Sequence, residues 1–119
     1  ERTELKAQLT KMKSEQIEIP MVIGGKRVTT DEKIAIHPPH ELKHTLGYYF
    51  KGNADHVKMA IDAALKARAT WHNMPWEQRA AIFLRAADLL SGPYRAKINA
   101  ATMPAQSKTV FQAEIDAAC

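Results

Sequence analysis

Apolar positions recur along this chain with two different periods. Over residues 3–16, Leu5, Leu9 and Met12 fall on one face of a helical repeat, and Lys, Gln and Glu fill the remainder, which predicts a helix within residues 1–16. The period then drops to two. Ile17, Ile19, Met21 and Ile23 alternate with Glu18, Pro20 and Val22, the repeat of a strand. Pro20 has no N–H for a ladder, so this strand lies at an edge or begins near Met21. Gly24 and Gly25 suit the positive φ of a tight hairpin, with residues 26–29 returning as the partner. Residues 33–37 read as a third short strand. After Pro38 and Pro39, residues 42–50 read as a fourth, with Gly47 as its weak point. Residues 17–50 therefore predict a small antiparallel meander.

Beyond residue 53 the helical period returns. Asn53 is a good N-cap, and Val57, Ile61, Ala64, Leu65 and Trp71 form an apolar stripe behind it. Pro75 fits the first turn of a second helix, whose face carries Trp76, Ala80, Phe83, Leu84, Ala87 and Leu90. Gly92 suits the position just past that helix, and Pro93 starts a third, marked by Tyr94, Ile98 and Ala101. Pro104 is expected to end the third helix, because a proline ring clashes with the preceding turn. Ser107 is placed to cap a fourth helix, from 108 onward, with Val110, Phe111, Ile115 and Ala118 on its face.

These elements define an α+β chain of amphipathic helices and short antiparallel strands. Strands and helices do not alternate as βαβ units, so the helical stripes have no parallel sheet of their own to cover. The last helix lacks a stop signal: no Gly or Asn follows it, its last turn carries no cation, and no Pro is near. The pattern predicts a polypeptide that continues beyond Cys119, with a partner layer elsewhere.

Composition changes this picture little. The chain has 119 residues, 45% hydrophobic and 25% charged, which fits one ordinary soluble unit. No apolar run reaches the roughly 18 residues of a membrane span. The single cysteine excludes an internal disulfide. The net charge of +4 raises a nucleic-acid reading, but the longest basic cluster is Lys26-Arg27 and no aromatic residues interleave with basic ones. The expectation is therefore no nucleic-acid partner and no membrane.

Candidate chemistry is sparse. Gly24-Gly25 precedes a strand, whereas a phosphate loop must open a helix. His37, His40 and His44 have a ligand-like spacing, but Pro38-Pro39 breaks the chain between them and no cysteine joins them, so a metal is not expected. His56 and His72 lie at helix ends and read as surface residues. Cys119 sits at the far end of its helix, where the dipole disfavours a thiolate. Glu114 and Asp116, two residues apart on a helix, point about 200° apart and cannot face each other as an acid–base pair. Ser107-Lys108 invites a Ser–Lys nucleophile, yet adjacent side chains also diverge. No catalytic, cofactor-binding or metal residue is therefore expected within this chain.

Four stretches, EIPMVIGGKRVTT (18–30), AIDAALKARATW (60–71), EQRAAIFLRAADLLSGPYRAKINAATM (77–103) and QSKTVFQAEIDAAC (106–119), together resemble the N-terminal part of the Δ1-pyrroline-5-carboxylate dehydrogenases, a branch of the aldehyde dehydrogenase superfamily. The resemblance covers nearly the whole chain. It implies that residues 1–119 are the N-terminal portion of an NAD-binding domain in an α/β Rossmann-type parent, with this portion structural and non-catalytic. It implies that the parent oxidises L-glutamate γ-semialdehyde to glutamate with NAD through a cysteine thiohemiacetal, hydride transfer and thioester hydrolysis. The nucleophile, NAD segment and carboxylate anchor would all lie downstream, and this piece would bind no cofactor itself. The resemblance also implies a homo-oligomer, cytoplasmic in a bacterium and in the mitochondrial matrix of a eukaryote. In relatives a glycine usually precedes Gln-Ser-Lys; here Pro104-Ala105 stands in that place. The rival reading from another class is a stand-alone helical interaction module with an apolar binding groove.

Overall fold

The computed structural model describes residues 1–117. The elements in order are α1 (Arg2–Ser14), β1 (Ile17–Ile19), β2 (Met21–Ile23), β3 (Lys26–Val28), β4 (Lys33–Ile36), β5 (Gly47–Phe50), α2 (Ala54–Asn73), α3 (Trp76–Ser91), α4 (Arg95–Gln106) and α5 (Val110–Ala117). The α+β class follows directly from this order. Ala118 and Cys119 lie outside the described residues, and so do the readings that fell on them.

The strands do not form one antiparallel meander. Pro20 divides the first predicted strand into β1 and β2, which enter different sheets. The hairpin forms as expected: β2 and β3 pair antiparallel, with Gly24 at φ 58° and Gly25 at φ 77° in the turn. The second sheet has the order β1-β5-β4. In it, β4 and β5 are antiparallel, but β1 lies parallel to β5, with Ile17 opposite Gly47. Gly47 is a requirement here rather than a weak point. A Cβ at this position would overlap the backbone carbonyl oxygen of Ile17. Lys33 ties this sheet's outer strands by its ion pair with Glu18, and its ammonium lies 4.6 Å from the Tyr48 ring centre.

Asn53 caps α2 as read. Its Oδ1 accepts from the N–H groups of Asp55 (3.0 Å) and His56 (3.2 Å), while His56 Nδ1 accepts from the Asn53 N–H at 3.1 Å. Pro75 precedes the first residue of α3. The chain leaves α3 at Gly92 with φ −104°, so this glycine does not use the left-handed region. Pro104 does not end its helix. It is buried inside α4, which runs on to Gln106, and it falls in the last turn, where little remains to be disrupted. The left-handed residue is Ser107, at φ 53° and ψ 41°, so the sequence Pro104-Ala105 continues the helix and the turn follows it. Ser107 thus closes α4 instead of opening α5.

Helix α1 packs on α4, α4 packs on α5, and the β2–β3 hairpin lies against α2. Buried side chains are few: Pro38, Leu46, Asn99, Ala100, Pro104 and Ala113 among the described residues. Helices α2 and α3 bury none. The outline is a flat body of 44 × 37 × 18 Å with a radius of gyration of 17.3 Å. A compact chain of this length has a radius near 13.5 Å, as estimated from the usual scaling. The accessible area is 9032 Å², whereas a compact monomer of this mass exposes about 6,450 Å². Exposed apolar side chains run along α2 and α3, where Val57, Ile61, Leu65, Trp76, Phe83 and Leu84 all face solvent.

Candidate functional site

Polar chemistry gathers where α4 turns into α5. The turn is built from backbone bonds. The N–H groups of Ser107 and Lys108 both reach the Met103 carbonyl, the latter at 2.9 Å, which closes α4 around the left-handed Ser107. The start of α5 is capped by Thr109 and Gln112. Gln112 Oε1 accepts from the Thr109 N–H at 3.0 Å and from the Thr109 hydroxyl at 3.1 Å. The T-x-x-Q spacing of a capping box was present in the sequence, and the cap belonged to Thr109 rather than Ser107.

On one side of this corner, Glu114 of α5 meets Arg95 and Asn99 of α4. Its carboxylate forms an ion pair with the Arg95 guanidinium and accepts from Asn99 Nδ2. The Arg95 hydrogen bond, and after it that of Asn99, holds the Glu114 carboxyl below the usual carboxylate range. Asn99 is only 4% exposed, and its Oδ1 has no hydrogen-bond partner. Asp116 turns the other way and pairs with Lys108. The two acids therefore diverge, as their spacing required.

On the opposite side, Ser107 Oγ and His40 Nδ1 are 2.7 Å apart. A serine beside an imidazole is the beginning of a nucleophile–base pair. Among the described residues, however, no carboxylate orients the far nitrogen of His40, so no triad forms. His37 Nδ1 donates to the His44 carbonyl at 2.8 Å, and His44 Nε2 is buried without a partner. The three histidines of the 37–44 segment thus make separate contacts, and no group of three potential ligands converges on a metal position among the described residues. His56 belongs to the α2 cap, and His72 is exposed.

Gly24 and Gly25 close a hairpin instead of opening a helix. The first-turn donors of α2 are occupied by Asn53, and the α5 start is covered by its own Thr109 and Gln112. No described helix is long and apolar enough to cross a membrane.

The family profile "Aldehyde dehydrogenase family" matches residues 27–118, and the chain belongs to that family. It is 45% identical to the Delta-1-pyrroline-5-carboxylate dehydrogenase of Agaricus bisporus, over 99% of this chain and 22% of that protein. It is 43% identical to the human mitochondrial Delta-1-pyrroline-5-carboxylate dehydrogenase, over 99% of this chain and 21% of that protein. The crystal structure of the Delta-pyrroline-5-carboxylate dehydrogenase from Mycobacterium tuberculosis superposes with a TM-score of 0.95 at 44% identity, again over 99% of this chain and 22% of the relative. The same relative has been solved bound with NAD. The chain thus spans about a fifth of the length of the relatives it matches.

Proposed function

We propose that these residues form the N-terminal part of an NAD-dependent dehydrogenase that oxidises L-glutamate γ-semialdehyde, released from Δ1-pyrroline-5-carboxylate, to L-glutamate in proline catabolism. Two observations support the reading. One is the similarity to pyrroline-5-carboxylate dehydrogenases along the whole chain. The other carries the structural role: about 2,600 Å² of surface beyond what a chain of this mass exposes when compact, with exposed apolar side chains along α2 and α3. Areas of that size match permanent interfaces. In this reading the remainder of the dehydrogenase covers those helices and supplies the nucleophile and the NAD site. Residues 1–119 are a non-catalytic scaffold. The assembled enzyme is a homo-oligomer, cytoplasmic in a bacterium and in the mitochondrial matrix of a eukaryote.

The test is NADH formation with pyrroline-5-carboxylate. A polypeptide carrying these residues in its full reading frame turns over, and residues 1–119 alone do not. Turnover by the 119-residue chain overturns the scaffold role. A full-length protein that ignores this substrate but oxidises other aldehydes overturns the substrate assignment.

A further inference from the structure

Arg79 places a charge on an apolar face. It lies on α3 three residues after Trp76 and four before Phe83, spacings that share one side of a helix. Trp76 and Phe83 face solvent, and Leu90 continues the same stripe. Arg79 itself is half-buried. Its guanidinium lies 6.0 Å from the Trp71 ring centre, beside the end of α2. Its Nε is closed off from solvent and makes no hydrogen bond. No carboxylate pairs with Arg79 among the described residues. The acids of its own helix cannot reach it. Glu77 precedes it by two residues and Asp88 follows it by nine, so they point about 160° and 180° away. On α2, Asp62 is paired with Lys58. Asp55 stands sixteen residues before Trp71, about 24 Å along the helix.

This charge selects what can lie on the face. A guanidinium stays protonated, so it cannot shed its charge when covered. The Trp71 ring supplies only a weak attraction. A purely apolar cover would leave an unpaired cation in a low dielectric. Main-chain carbonyls would bond its N–H groups without neutralising it. A carboxylate does both, and its two oxygens match the planar fork. An isologous contact centred here would instead set two Arg79 cations together. We propose that α3 docks against an aspartate or glutamate from beyond residue 119, which pairs with Arg79 as Trp76, Phe83 and Leu90 are covered. This pairing rests on the dehydrogenase reading above, in which this chain is about a fifth of the enzyme and the remainder supplies the cover.

The test uses the full-length protein. Its crystal structure is expected to place a carboxylate from beyond residue 119 within about 3.2 Å of the Arg79 guanidinium nitrogens. Arg79→Met keeps an apolar stem against Trp71 and removes the charge; it lowers the urea midpoint by roughly 0.5–1 M. Replacing the facing acid by its amide also lowers the midpoint, and the double variant loses less than the sum of the two. Water or main-chain carbonyls alone at Arg79 overturn the proposal, and so does a carboxylate contributed by another subunit. A midpoint for Arg79→Met equal to wild type, or strictly additive losses, overturns it as well. Should Arg79→Met fail to fold, the crystal structure of the unsubstituted protein decides. NADH formation is scored separately: a full-length protein that shows the ion pair but ignores pyrroline-5-carboxylate loses the substrate assignment and keeps the docking.

Discussion

Phe83→Ala separates a scaffold from a self-sufficient protein. Phe83 lies on α3 and is 66% exposed, with one described ring neighbour: Trp71, edge-on, with centroids 6.5 Å apart. In the 119-residue chain, truncation removes that contact and little else, which is worth about 1 kcal/mol. A phenylalanine offers roughly 200 Å² for burial. Two thirds of it still faces water, so a covering layer gains about 3 kcal/mol at ~25 cal/mol per Å². In a full-length dehydrogenase the same substitution therefore costs about 4 kcal/mol, within the usual range for a buried Phe→Ala change. The assay is urea denaturation of both polypeptides, comparing midpoints at unchanged slope. A full-length protein that loses no more than the short chain refutes the argument, because α3 would then have no cover. A loss of about 4 kcal/mol in the short chain would refute it equally, because the ring would already be buried there.

Three further outcomes follow from local geometry. Asn53→Ala leaves two first-turn N–H groups of α2 without their side-chain acceptor and costs about 1 kcal/mol, while Asn53→Asp retains the cap; amide exchange at Asp55 and His56 reads this, and equal exchange in both variants would sink it. Gly47→Ala drives a methyl into the Ile17 carbonyl and costs about 1–3 kcal/mol, seen as faster exchange of the Ile17 N–H that now bonds Leu46 O at 3.1 Å; protection equal to wild type refutes it. Glu114 has its carboxyl held low in the folded chain by Arg95 and Asn99, so its stabilising effect is present above the ordinary carboxylate value and lost as pH falls through the lowered one. Glu114→Gln should therefore flatten the acid limb of a melting-temperature profile, and superimposable profiles would count against the cluster.

The helices were readable because their signals are local. Asn53, Pro75 and Gly92-Pro93 mark boundaries within a few residues of where they act, and the α2 and α3 stripes are regular. Pro104 misled because the rule for interior prolines counts a lost bond and a clash, and position within the helix decides how much either matters. The strand pairing was not readable. β1 and β5 are short and lie thirty residues apart at Ile17 and Gly47, and nothing local distinguishes a parallel partner from an antiparallel one. The corner was half legible. The spacing of Glu114 and Asp116 showed that they diverge, but their partners Arg95 and Lys108 were fixed only by the turn at Ser107. The same turn brings His40 to Ser107 across 67 positions, which no periodicity carries.

The pairing of α1 with α4 has a consequence for the order of events during synthesis. Helix α1 is made before α4, the segment it docks on, by about ninety residues, which at ~5–20 residues per second is a delay of about 5–20 s. Throughout that interval α1 waits without its berth. Its sequence, RTELKAQLTKMKS, is mostly polar and carries few groups that would stick to anything else. A nascent tether that must idle is best made hydrophilic, and this one is.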